Sequence, residues 1–438
     1  MPQSNINDVI VEQVFRFRSS YVLILTSSNR EETEETEQTK EEKMKQSKIT
    51  QLKRIQNLRN KCLEAHTIGL FKIKVSRNIL YLQSKQELLT FDQSENSKTL
   101  NKRLYIQYQG EHAIDEGGPL SEWFLEFSKK LFDPSTLCFR YTNAARPGLI
   151  EIDPTTDPDP TNPNSDLDQN VQSHYICAGR LLALAIFNSK FVYPRFSVAF
   201  YKLLLEQWLR EDELLQEDAS VTHEDELLQE DEEEVSLDEL KKMDLDFIKS
   251  LMSMEMADLE ELHKLQKRNS NTIKSIKTKK GLVLEIGQWY LYDRYRKQMK
   301  KIKKGFEDVF PISWLKGLSV EALEELISGV YVFEISKLRA KARYGGYDKK
   351  SKQIKWFWMY MSQLKTEDLE KLLQFIFGTS KFGSCYPTLQ INKVKIPDAL
   401  PSAHTCCHIL NLPNYNSFDV LKSKMDFAIK ETVGFGFI

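Results

Sequence analysis

The chain of 438 residues has room for about two to four domains, and its formal net charge of −2 gives no global field that would select nucleic acid or an anionic membrane. Hydrophobic residues make up 41%, ordinary for a soluble globular protein, and no apolar run reaches the roughly 18 residues a bilayer-spanning helix needs. The best candidate, Tyr175 to Phe187, is short and carries Arg180. Asn5, Asn7 and Asp8 interrupt any apolar N-terminal run, so no secretory signal is expected. The cysteines are Cys62, Cys138, Cys177, Cys385, Cys406 and Cys407. Their scatter suits reduced thiols better than a disulfide framework, so the expected compartment is the cytoplasm, with the nucleus as a second one.

Residues 1–67 read as a charged extension, separate from the remainder of the chain. Arg30 to Lys48 is almost entirely Glu, Lys, Thr, Gln and Arg. Such a stretch cannot bury a core; a solvated helix or disordered tether is expected, with a partner-binding arm as the alternative. Leu104, Ile106 and Tyr108 alternate with Tyr105, Gln107 and Gln109, the period of a half-buried strand. Asp115 to Gly118 then turns the chain, and Pro119 suits the first turn of a helix. Leu120, Trp123, Phe124, Phe127 and Leu131 share one face of that helix. Asp153 to Asp166 is a Pro/Asp/Asn loop. Ile176 to Phe187 is apolar nearly all round and predicts a buried helix; Phe196 to Leu205 predicts another.

Glu211 to Asp218 recurs word for word at Glu224 to Asp231. The offset is too short for a solenoid repeat, so the pair reads as a duplicated acidic surface insertion near residues 210–235. Ser236 to Glu239 forms a capping box. Met252 to Leu282 is rich in charge and lacks clear periodicity. Trp289 to Phe306 predicts one long helix carrying Lys297, Lys300, Lys301, Lys303 and Lys304. Stacking aromatics are not interleaved with these lysines, so a solvated face is expected rather than a nucleic-acid site. Ser319 caps the next helix, with Glu321 near its positive end and Gly329 beyond its last turn. Ile354, Phe357, Trp358 and Met361 mark a helix, and Leu369, Leu372, Leu373 and Ile376 another, closed by Gly378. Ile391 to Ile396 reads as a short strand, and a last helix runs from Ser417 to Lys430.

Ahead of that helix stands Leu400-Pro401-Ser402-Ala403-His404-Thr405-Cys406-Cys407-His408, followed by Ile409-Leu410-Asn411-Leu412-Pro413-Asn414-Tyr415. A thiol on a short polar loop between prolines can be both exposed and held by a scaffold. This run resembles the active-site loop of the HECT-type ubiquitin ligases: Leu-Pro, His-Thr-Cys and Leu-x-Leu-Pro-x-Tyr stand in order. Other fragments resemble the same family collinearly. They include Gly110-Glu111, Asp115 with Gly117 and Gly118, Glu122 to Phe124, Gly179 to Leu182, and Gly305-Phe306. Further along come Glu325 to Ile327, Trp356 to Trp358, and Gly378 to Ser380. The ordered set covers roughly residues 70–438.

The resemblance implies an α+β, two-lobed HECT fold. A mostly helical N-lobe would cover residues 68–328, a hinge 329–332, and a smaller α/β C-lobe 333–438. It implies a ubiquitin-protein ligase, a transferase that takes ubiquitin from a charged ubiquitin-conjugating enzyme as a thioester on Cys406 and passes it to a lysine of a substrate protein. Such acyl transfer requires no cofactor or metal, and neither nucleic acid nor a membrane span enters. By position in the motif Cys406 is the nucleophile; Cys407 is either the alternative nucleophile or a small packing residue where the family keeps Phe. His404 would polarise the thiol or order the loop, and Thr405 would offer a hydroxyl or backbone N–H to the thioester oxygen. Phe435, fourth from the end, matches an aromatic used in the final transfer. Asp115 and Glu122 stand in matching positions but read as a turn cap and a helix ion pair.

The sequence departs from the family in three places: the acidic insertion is long, residues 248–285 lack the hairpin-like alternation of a conjugating-enzyme dock, and Cys407 and His408 replace the usual Phe and Asn. Ligases of this kind carry substrate-selecting modules upstream, so a longer parent chain or a separate recruiting adaptor is expected. Three other readings stay open: an inactive scaffold that binds a conjugating enzyme; a zinc module at His404, Cys406, Cys407 and His408, whose spacing lacks the two separated pairs of structural zinc; and a cysteine hydrolase using His174 or His112.

Overall fold

The computed structural model describes residues 37–90, 100–111, 118–142, 149–157, 166–205, 245–260, 278–329, 333–383, 386–396, 398–405 and 407–430. The chain forms two compact units, Met1–Leu52 and Lys53–Ile438. Helix α1 spans Glu37–Glu64. The charged extension expected to reach residue 67 ends sooner, because Ile55, Leu58 and Cys62 are buried in the larger unit's first core. They recur at i, i+3 and i+7, one helix face. The Asp115 turn, the acidic repeat, the capping box at 236–239 and hinge residues 330–332 lie outside the described residues.

In the larger unit, strand β1 (Thr67–Val75) pairs in parallel with β2 (Lys102–Tyr108), Ile73 opposite Ile106 and Val75 opposite Tyr108. Leu104, Ile106 and Tyr108 face the core, as their alternation predicts. Helix α2 (Leu80–Leu89) lies in the crossover. Helix α3 (Gly118–Leu131) buries its expected apolar face, with Pro119 in the first turn. A small sheet joins β3 (Phe139–Tyr141), β4 (Leu149–Ile152) and β5 (Arg195–Phe196). Helix α4 (Gln169–Phe187) is buried at every residue from Cys177 onward. Ser197 caps α5 (Val198–Leu204) through its hydroxyl, which accepts from the Phe200 N–H.

Helices α6 (Leu245–Ser253) and α7 (Lys279–Leu291) enclose a small separate core around Ile248, Leu251, Leu282 and Ile286. The long helix expected from Trp289 to Phe306 is broken. It ends at Leu291, passes through a single 3-10 turn (Asp293–Tyr295) and restarts as α8 (Arg296–Glu307). Tyr292 belongs to the small core and Tyr295 to the first core. A continuous helix would put residues three apart on one face, so the break lets the two rings part. The lysine face is also less solvated than expected, because Lys297 is mostly buried and pairs with Asp157 at 2.9 Å.

Helix α9 (Val320–Ser328) starts at Ser319, whose hydroxyl accepts from the Ala322 N–H, and stops at Gly329 with φ 77°. Beyond it a distinct second core gathers α10 (Ile335–Lys341), α11 (Lys352–Gln363), α12 (Thr366–Phe377) and α13 (Phe418–Lys430). These surround a sheet ordered β6 (Arg343–Gly345), β7 (Gln390–Val394), β9 (Ile409–Pro413), β8 (Ser402–His404). Helices with several small sheets make the fold α+β.

The tightest packing in the first core is the crossing of α4 over α8. A Cβ on Gly179 would overlap the Ile302 carbonyl, and one on Gly305 would overlap the Ile176 carbonyl. Only hydrogen fits at both positions. Next to this crossing the Arg180 guanidinium donates to Asp308 Oδ2 at 2.7 Å and to the Leu88 carbonyl, tying α2, α4 and the end of α8 together. The pair is nearly dry, its side chains 8% and 5% exposed, so losing either partner strands a buried charge. We expect Gly179→Ala to lower unfolding stability by about 3 kcal/mol or more in urea titrations, since overpacking meets backbone and not a yielding side chain. A loss below about 1 kcal/mol would refute the close crossing.

Candidate active site

The loop expected to lead directly into the last helix is instead the tip of a β-hairpin. Leu410 and Leu412 are fully buried and Asn411 lies between them, the alternation of a strand with one buried face. Pro413, at the end of a two-leucine run, hid that pattern in the sequence. Strand β8 pairs antiparallel with β9, His404 opposite Ile409, leaving residues 405–408 as the connection. The Cys407 N–H donates to the His404 carbonyl at 3.2 Å, closing the end of the hairpin. His408 follows with φ 54°. That left-handed geometry is one His and Asn enter more readily than most residues, which explains a His where the family usually has Asn.

Both ends of the hairpin are pinned. The Gln390 N–H of β7 donates to the His408 carbonyl at 3.0 Å. The Tyr415 hydroxyl, on a fully buried ring, donates to the Ala399 carbonyl at 2.8 Å, holding the chain just before Pro401. Asn411 Nδ2 bridges to Ser402 Oγ at 3.2 Å. The Leu-x-Leu-Pro-x-Tyr run thus supplies one strand of the hairpin and the clasp at its base.

The tip rests against the start of α3. A Cβ on Gly378, the left-handed C-cap of α12, would lie 3.1 Å from Gly118 Cα and 3.5 Å from Thr405 Cβ. Lys190 Nζ donates to Ser121 Oγ at 2.8 Å. Burial first, and the Lys190 charge second, hold the His408 imidazole below its ordinary pKa. Its ring lies 5.4 Å from that of Phe377. The segment after Gly378 continues the same seam. Lys381 Nζ lies 6.0 Å from the centre of the Tyr193 ring, and the Phe382 backbone closes on Gly329, so a side chain at Gly329 would meet the Phe382 carbonyl at 2.8 Å.

Cys406 and Phe435 lie outside the described residues. His404 is exposed, and the loop-ordering bond comes from its backbone carbonyl, not its ring. Thr405 is half-buried in the seam. Cys407 is exposed, which corrects the expectation of a packing residue: the turn directs it outward, where no core requires a Phe-sized group. His404, Cys407 and His408 do not converge as a group of metal ligands.

Of the two histidines in the hydrolase reading, the structure describes only His174. His112 is outside the described residues. His174 is buried, Nε2 donating to the Leu131 carbonyl at 2.8 Å and Nδ1 facing Lys85 Nζ at 3.4 Å. Cys62 and Cys138 are pushed up to about 11, and Cys177 to about 12, by burial, so all three stay protonated. Glu122 proves to be a helix ion pair. Arg77 donates to Glu122 Oε1 at 2.8 Å and to Glu111 Oε1 at 2.5 Å, with its guanidinium over the Tyr108 ring. Arg77 escaped the sequence reading because its partners lie 34 and 45 positions away.

Comparison with known proteins agrees with this geometry. Residues 125–438 match the family described as HECT-domain (ubiquitin-transferase). The E3 ubiquitin-protein ligase NEDD4 of Rattus norvegicus is 28% identical over 377 residues, 83% of this chain and 40% of that protein. The E3 ubiquitin-protein ligase pub3 of Schizosaccharomyces pombe is 29% identical over 378 residues, 84% of this chain and 45% of its own length. The E3 ubiquitin-protein ligase RSP5 of Saccharomyces cerevisiae is 28% identical over 378 residues, 84% and 44% respectively. The chain therefore spans less than half the length of these curated relatives.

Two outcomes are expected from these contacts. Tyr415→Phe removes the clasp on Ala399 and should lower unfolding stability by about 1 kcal/mol in denaturant melts; an unchanged midpoint would contradict the clasp. Burial holds His174 down to about 4 from an ordinary 6.5. The folded state therefore resists protonation that the unfolded chain accepts. Stability is full above pH 6.5 and falls as pH drops toward 4, by about 3 kcal/mol relative to His174→Gln. Parallel stability–pH curves for the two proteins would contradict this.

Proposed function

We propose a function from one premise: the chain belongs to the HECT-domain (ubiquitin-transferase) family. It acts as a ubiquitin-protein ligase. Cys406 accepts ubiquitin from a charged ubiquitin-conjugating enzyme and delivers it to a lysine of a substrate protein. The observation that supports this reading is the pinned hairpin, whose described turn residues His404 and Cys407 are exposed on either side of the motif's sulfur in the sequence.

In the first step the Cys406 thiolate attacks the thioester carbonyl on the conjugating enzyme. A new C–S bond forms and the donor cysteine leaves as thiolate. One thioester replaces another, so the exchange is nearly isoenergetic. With an ordinary thiol pKa of about 8.5, a few per cent is thiolate at neutral pH, enough for a reactive sulfur held in place. In the second step a lysine amine attacks the Cys406 thioester, a C–N bond forms, the C–S bond breaks, and the amine's proton is lost. That step is downhill because an amide is more stable than a thioester. The Thr405 N–H or hydroxyl meets the developing oxyanion, His404 accepts protons from the solvent side, and Phe435 steadies the acceptor in the final transfer.

The two-lobe reading assigns the first core to the N-lobe and the second core to the C-lobe, with residues 329–332 as hinge. Gly329 at the end of α9, with a positive φ that only glycine adopts readily, suits a pivot. The small core of α6 and α7 occupies the region where a conjugating enzyme would dock. A reducing compartment such as the cytoplasm keeps the thiol available.

In a single-turnover reaction with charged conjugating enzyme, the chain should form a ubiquitin adduct that thiol reductant removes. Cys406→Ala should abolish the adduct and Cys407→Ala should retain it. An adduct kept by Cys406→Ala and lost from Cys407→Ala would move the chemistry to the neighbouring sulfur. Absence of any adduct across a panel of charged enzymes would favour an inactive scaffold.

A further inference from the structure

We propose that a cationic groove on the second core docks the chain's own acidic repeat, residues 211–231. A groove of about 650 Å³ lies between α10, α11 and strand β6. It is lined by the exposed Arg339, Lys349 and Lys355, by the half-buried Tyr344 over the buried Trp358, and by Met359, 39% exposed. Residues 334–355 hold eight lysines and arginines against two carboxylates, Glu334 and Asp348, a net of +6. Neither carboxylate serves the groove. Glu334 pairs with Lys337 at 2.7 Å, and Asp348 accepts from the backbone N–H groups of Lys350 and Ser351. Arg339, Lys349 and Lys355 form no ion pair among the described residues. Arg339 lies over the Trp358 ring, 5.9 Å from its centre.

The matching charge is in the same chain. Residues 211–234 contain thirteen Asp and Glu and no Lys or Arg. The near-neutral total therefore hides two opposed extremes. Each copy of the repeat sets a Leu pair, Leu214-Leu215 or Leu227-Leu228, between acidic flanks. Leucines suit the half-buried Tyr344 and the exposed Met359, and the flanking carboxylates suit a cationic rim. A phosphate or a nucleic-acid backbone would answer the rim but leave Tyr344 and Met359 uncovered. Duplication places two equivalent ligands on one tether, which raises the local concentration. The nearer end of the second copy stands nineteen residues after Leu205, and its far end fourteen before Leu245. Extended chain of that length reaches roughly 45 Å, close to the diameter of a unit this size. Strand β6 is at the opposite edge of the sheet from β8, so an occupied groove leaves the hairpin tip open. This contact stands independently of the transferase reading.

The test uses the full chain with every Asp and Glu of 211–234 changed to Asn or Gln, and a labelled synthetic peptide of residues 209–234. At low salt the neutralised chain should bind the peptide, and the unaltered chain about tenfold more weakly, because its own segment competes. Adding Arg339→Ala, Lys349→Ala and Lys355→Ala to the neutralised chain should weaken binding about tenfold, with an unchanged melting temperature as these side chains are exposed. Equal affinity for the neutralised and groove-altered chains would overturn the site. No binding to the neutralised chain, or equal binding to the unaltered one, would overturn the intramolecular occupant.

Discussion

Two hydrogens in place of two methyl groups set the geometry on which the larger unit depends. Gly179 and Gly305 let the backbones of α4 and α8 touch, and that contact sets how the two helices cross. Asp308, just past α8, thereby meets Arg180, and Arg180 in turn holds the end of α2. From α4 the chain passes through Pro194 to α5, where the Tyr201 hydroxyl lies 3.1 Å from that of Ser328. Ser328 also donates to the Pro194 carbonyl at 2.7 Å, fixing the end of α9 and the position of Gly329. Gly329 meets the Phe382 backbone, and the same segment carries Gly378, which meets Gly118 and Thr405. The hairpin tip is thus linked, through close backbone contacts and side-chain hydrogen bonds, to a helix crossing in the other core.

At the site itself the scaffold leaves one short stretch outward-facing. Leu410, Leu412 and Tyr415 are anchored below, while His404 and Cys407 face solvent. Buried cysteines elsewhere are held as protonated thiols, and the one exposed cysteine among the described residues is at the hairpin turn. The backbone, more than neighbouring side chains, organises this turn. That suits the proposed thioester exchange, which is nearly isoenergetic and chiefly requires an accessible, well-placed sulfur.

Local patterns were legible where one element meets one surface. The alternation at Leu104, Ile106 and Tyr108, the apolar face of α3, the Ser319 cap and the Gly378 stop are all dictated within a few residues. Features that answer to distant partners were not. Ile55, Leu58 and Cys62 lie among charged neighbours and gave no block of hydrophobicity. Tyr292 and Tyr295 read as one helix face but serve two cores. Arg77 acquires meaning only from Glu111 and Glu122. In the site, the His-Thr-Cys motif was plain, yet the strand after it and the outward aim of Cys407 follow from the register between β8 and β9. The family likeness supplied the chemistry, and the packing explains why a His is accommodated at position 408.

The most direct measurement locates the acyl group. A single-turnover reaction with a charged conjugating enzyme, quenched without reductant and digested with protease, gives peptides whose masses report which sulfur carries the ubiquitin C-terminal remnant. The remnant should sit on Cys406. A remnant on Cys407, or a folded chain that carries none on either sulfur beside an abundant charged donor, would contradict the central claim.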